Sequence, residues 1–100
     1  MATLELINLH CNRRQDVTGH DEARLTVGGV ARTYAMDKGG DQTLKGWNTA
    51  FTGTTTVILD EMNGSNPTRI GSAPVTQTGN PKTVEFKTSG AWYILSFKVT

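Results

Sequence analysis

Apolar and polar residues alternate with a period of two along most of this chain, the repeat of a pleated strand with one buried face. Leu4 and Leu6 share one side of the opening run, and Ile7, Leu9 and Cys11 then carry the apolar side onward out of phase. That switch between Leu6 and Ile7 predicts a β-bulge or a strong twist in a first strand. Residues 12–22, NRRQDVTGHDE, are polar throughout and read as a loop. Alternation resumes over 23–27, with Leu25 and Val27 opposed to Arg24 and Thr26. Gly28-Gly29 reads as a tight hairpin turn, because adjacent glycines accept positive φ, and 30–36 is the returning strand. Residues 37–41, DKGGD, form a second turn.

The middle of the chain is less regular. Leu44, Trp47 and Phe51 fall three and four apart, as on a helical turn, but Gly46, Asn48 and the neighbouring threonines outweigh that pattern. Residues 42–51 are therefore expected as short strand and loop, with Trp47 a core plug. The β-branched run 55–59 predicts a strand, and 60–67, DEMNGSNP, a long polar loop. Residues 70–75 follow as an edge-like piece, where Pro74 removes a ladder donor. A turn over 76–81 leads to a strand at 83–87, and Ser89-Gly90 turns the chain into 91–99. There Ala91, Tyr93, Leu95, Phe97 and Val99 line one face. Seven or eight short strands, with Gly, Asn and Pro between them and no convincing helix, predict an all-β protein: a single antiparallel β-sandwich domain spanning 1–100.

Composition narrows the functional classes. Ten basic and nine acidic residues leave a net charge of +1, without the basic stripe of a nucleic-acid binder. A single cysteine, Cys11, excludes an intrachain disulfide, and its place in an apolar run marks a buried, inert thiol. No apolar run reaches the roughly 18 residues of a transmembrane helix, and MATLELINLH lacks the basic start and apolar block of a signal peptide. The default compartment is the cytoplasm; leaderless export and prior removal of a signal stay open. Running from Met1 to a strand-like end at Thr100, the chain is consistent with a whole small protein.

Two acidic segments carry the candidate chemistry. A strand that delivers Asp60, Glu61 and Asn63 into a loop offers the oxygen donors that calcium takes six to eight of. Asp16, Asp21 and Glu22 form the other cluster. If both loops sit at one end of a sandwich, these side chains, with Asn66 and backbone carbonyls, make a weak calcium site, of roughly ten micromolar to millimolar affinity. The alternative keeps them all as solvated turn residues. His10, His20 and Cys11 lack zinc-ligand spacing; no serine lies in a GxSxG elbow; Gly39-Gly40 has neither the lysine nor the helix of a phosphate loop. The expectation is a protein that is not an enzyme.

In this order the chain resembles the C2 domain, the calcium- and phospholipid-binding β-sandwich of protein kinase C and synaptotagmin. The likeness rests on Leu4-Glu5-Leu6-Ile7, then Asp16 to Glu22 leading into Ala23-Arg24-Leu25-Thr26-Val27. It continues with Trp47-Asn48 ahead of Phe51, Val57-Ile58-Leu59-Asp60 before a loop that ends at Ile70-Gly71, and the closing Gly90 to Leu95. The resemblance implies Asp16, Asp21 and Asp60 as ligands, but Met62 and Thr68 occupy two further ligand positions and the first loop is a residue short. Family members that lose such acids commonly lose calcium and keep the scaffold for protein or lipid contacts. The expected function is a non-catalytic binding module, calcium-binding through two acidic loops, whose partner is a membrane lipid, a glycan or a protein. A glycan would need Trp47, Trp92 and Tyr93 exposed as stacking platforms. The alternative is a metal-free structural or assembly subunit, a homo-oligomer built through sheet edges or loops, or a protein-interaction domain.

Overall fold

The computed structural model describes residues 1–13, 21–63, 65–77 and 83–100. The described chain folds as eight strands: β1 (Ala2–Arg13), β2 (Asp21–Val27), β3 (Val30–Met36), β4 (Asp41–Phe51), β5 (Thr54–Asn63), β6 (Asn66–Thr76), β7 (Thr83–Lys87) and β8 (Trp92–Val99). They form two antiparallel four-stranded sheets, in the orders β4-β1-β8-β7 and β3-β2-β5-β6. The fold is an all-β sandwich.

The alternating residues explain the layers. Leu4, Leu6, Leu9 and Cys11 of β1 and Tyr93, Leu95 and Phe97 of β8 are buried, facing Ala23, Leu25 and Val27 of β2 and Val57 and Leu59 of β5. The phase switch in β1 is a bulge: the pairing of β1 with both β4 and β8 shifts between Leu6 and Asn8, and Ile7 is left 41% exposed. A bulge of this kind sets both halves of a long strand inward side down on one core. Gly28 and Gly29, at φ 58° and 81°, close the β2–β3 hairpin directly above the Val27–Val30 pair. Two successive positive φ values make this the primed turn that matches the twist of its strands.

Three expectations change: first, Asn12 and Arg13 extend β1, and Asp21 and Glu22, expected in a loop, belong to β2, where they pair with Met36 and Ala35 of β3. Residues 41–51 form one continuous strand, β4, in which the break in pattern is a bulge around Gly46, at φ 94°, rather than an end. Trp47 is a core plug, 3% exposed. Residues 60–63, expected in a loop, continue β5, which pairs with β6 out to Asn63–Asn66. A bulge at Ile70 keeps this hairpin in register: Leu59 pairs with Gly71 and Asp60 with Arg69. The extra residue lets Ile70 and Gly71 both serve the core side, and a Cβ placed on Gly71 would lie 2.8 Å from the Phe86 ring of β7, on the facing sheet.

The ladder directions fix the ends of the sandwich. The ends of β1, β3, β5 and β7 and the starts of β2, β4, β6 and β8 lie together at one rim. At the opposite rim the Gly28-Gly29 turn lies with the chain termini, where Thr3 and Thr100 exchange backbone hydrogen bonds of 2.8 and 3.0 Å.

Candidate functional site

Strand alternation divides the predicted acidic residues between two faces of the β2–β5 pair. Ala23 is opposite Glu61, and Arg24 opposite Asp60. Asp21 and Glu61 share the inward face with Ala23, near the rim where β2 begins and β5 ends, and both are buried. Asp60 is on the outward face, and so is exposed Glu22. Asp16 lies outside the described residues, as does the side chain of Asn63. The two acidic segments thus meet at one end of the sandwich, with their described carboxylates turned in opposite directions.

Asp60 is 2% exposed although it faces outward, because two arginines roof it. Arg69 Nε donates to one carboxylate oxygen at 2.5 Å and Arg24 Nη2 to the other at 3.2 Å. All three are cross-strand neighbours, Arg24 on β2 and Arg69 on β6 flanking Asp60 on β5. Fixed charge-assisted bonds on both oxygens are strong, and a cation at Asp60 would have to displace them.

Asp21 is wholly buried and accepts a 2.5 Å hydrogen bond from the Tyr93 hydroxyl, which reaches it from the other sheet. Burial pushes the Tyr93 phenol well above its ordinary range, and its bonds to Asp21 and to Cys11 push it further the same way. The phenol therefore stays protonated and remains a donor. Removing it takes a donor from a carboxylate inside the core, which costs about 1–3 kcal/mol. Tyr93→Phe is expected to lower the melting temperature by roughly 5–20 °C, and thermal denaturation checks it; Asp21→Asn in the same background should recover part of the loss.

A different acid organises the outward face of the other sheet. Asp41, beginning β4, accepts from Asn8 Nδ2 at 2.9 Å and meets His10 Nδ1 at 2.8 Å. The Asn8 bond and then the His10 bond hold its carboxyl below the usual range.

Neither Trp47 nor Tyr93 presents a stacking face. Trp47 is buried beneath the Arg32 guanidinium, 4.7 Å from its ring, and half-buried Trp92 has Lys87 Nζ 4.5 Å above it. Among the described residues no three of His, Cys, Asp and Glu converge as a metal centre, and no helix is long and apolar enough to cross a membrane. No family model and no curated protein matches the chain.

Sequence reading missed Arg24, Arg69 and Tyr93. The signal for Tyr93 was present in its place on the inward side of β8, where a buried hydroxyl needs a partner.

Proposed function

We propose that this chain is a non-catalytic binding module on a C2-like scaffold, and that its working surface is the rim where β1, β3, β5 and β7 end and β2, β4, β6 and β8 begin. The supporting observation is that Asp21 and Glu61, two inward carboxylates from separate acidic segments, lie at that rim. With Asp16 on the connection leading into Asp21, they supply the hard oxygen donors that calcium prefers. Asp60, held by Arg24 and Arg69, is assigned to the scaffold instead. A lipid headgroup or an acidic protein surface would be engaged through the cation. A glycan is disfavoured by the covered aromatics.

The test is a thermal melt in millimolar calcium against chelator. At a hundredfold excess over the dissociation constant, calcium is expected to add about 2.7 kcal/mol, raising the midpoint by roughly 10–20 °C. Asp16→Asn with Glu61→Gln should abolish that rise. An unchanged wild-type melt removes the cation from the proposal. The Asp60 ion pairs favour a second, metal-free reading, an assembly subunit whose rim acids serve folding alone; this reading expects the two melts to coincide.

A further inference from the structure

We propose that β3 is the seam of a homodimer, in which it pairs antiparallel with the β3 of a second copy and joins two four-stranded sheets into one. The four sheet edges are β3, β4, β6 and β7. Exposed edges invite pairing, and proteins blunt them with prolines, bulges, inserted charges or short strands. β6 carries Pro67, Pro74 and the Ile70 bulge; β4 carries Lys45 and the bulge around Gly46; β7 is a five-residue strand with Glu85 and Lys87. β3, VARTYAM, has no proline, glycine or bulge, its one charge, Arg32, is drawn onto the Trp47 ring of β4, and it pairs with β2 in unbroken register.

β3 also projects from the body. Val30 and Arg32 are at inward register positions, opposite Val27 and Leu25, yet Val30 is 45% exposed and Arg32 is exposed. Arg32 reaches the facing sheet only through its guanidinium, which lies 4.7 Å over the Trp47 ring of β4, and Val30 stays uncovered beside it. In a two-residue hairpin the closing pair, here Val27–Val30, exchanges the ladder bonds. Residues 30, 32, 34 and 36 therefore bond β2, while Ala31, Thr33 and Ala35 aim their N–H and C=O groups at the open edge.

Those three residues define a self-complementary register. With a two-fold axis at Thr33, Thr33 pairs with itself and Ala31 with Ala35 of the copy, so every open-edge donor meets an acceptor. In this register Arg32 falls opposite Tyr34 and Val30 opposite Met36, so no like charges face each other across the seam. Sliding the copy by two residues in one direction sets Arg32 against Arg32, and in the other leaves Ala31 unpaired with β3. The small hydrogen-bonded residues leave room for close approach. A seam of one strand pair is small beside the roughly 1,200–2,000 Å² of stable interfaces, so the dimer is expected to be weak and concentration-dependent.

Sedimentation velocity over protein concentrations of roughly 10 µM to 1 mM reads such an equilibrium. The wild type is expected to shift from monomer toward dimer across that range. Thr33→Pro deletes a donor that points at the open edge and spares the bonds to β2, so it should weaken dimerisation at least tenfold while leaving the dilute melting temperature within a few degrees. Thr33→Cys reports register: its paired Cα atoms would be about 5.5 Å apart, within disulfide reach, whereas those of Ala31→Cys would be separated by four residues. Mild oxidation should cross-link the first and not the second, with Cys11 inert because it is buried. A wild type monomeric throughout, a Thr33→Pro variant that dimerises like wild type, or equal cross-linking at 31 and 33 would each overturn the proposal.

Discussion

Arg24→Met with Arg69→Met is expected to destabilise the protein by about 3–5 kcal/mol, the cost of a buried charge deprived of its partners. Methionine keeps the roof over Asp60 and removes both of its donors, so the carboxylate stays dry and unpaired. Alanine at both positions would cost less, because water would reach Asp60 through the opened roof. The melting midpoint of the methionine pair should fall by roughly 15–30 °C, enough to leave an ordinary domain partly unfolded at room temperature. Adding Asp60→Asn should restore much of the loss, since a neutral amide is far cheaper to bury than a carboxylate. If the triple variant is no more stable than the double, the arginines act by packing rather than by charge.

Phe86→Ala is expected to cost about 3–5 kcal/mol, the range for a large aromatic removed from a core with incomplete collapse. Phe86 is 2% exposed and lies across from Gly71, where a Cβ would approach its ring to 2.8 Å. Gly71→Ala alone should therefore destabilise by about 1–3 kcal/mol through overpacking. In the Phe86→Ala background the same methyl enters the vacated volume, and its cost should vanish or reverse. Denaturant titration of the four proteins measures this coupling. Additive effects would mean that Gly71 is required for its backbone conformation and not for the room it leaves.

Those two sites mark the limit of what single positions in the sequence disclose. The alternating runs made the sandwich legible, and the phase error at Ile7 and the doublet Gly28-Gly29 located a bulge and a hairpin. Both signals are local: each is complete within a few residues. The stretch from Asp60 to Asn63 was misread as loop because its composition favours turns when taken alone. It is strand because Arg24, distant in sequence, and Arg69, across the hairpin, neutralise the acid that composition counted against it. Residues 42–51 misled for a related reason, since Gly46 bends β4 without ending it. The opposite directions of Asp21 and Asp60 follow from cross-strand register, which no spacing within one strand reveals.

The backbone bonds between Thr3 and Thr100 bring the beginning and the end of this chain together on the side away from the clustered connections. A short bridge could close the polypeptide into a ring, and a cut between Gly28 and Gly29 would then give the same sandwich with its strands in a new order. For the same reason the unit could be spliced into a surface turn of a host protein, entering and leaving at nearly one point, with the acidic rim directed outward.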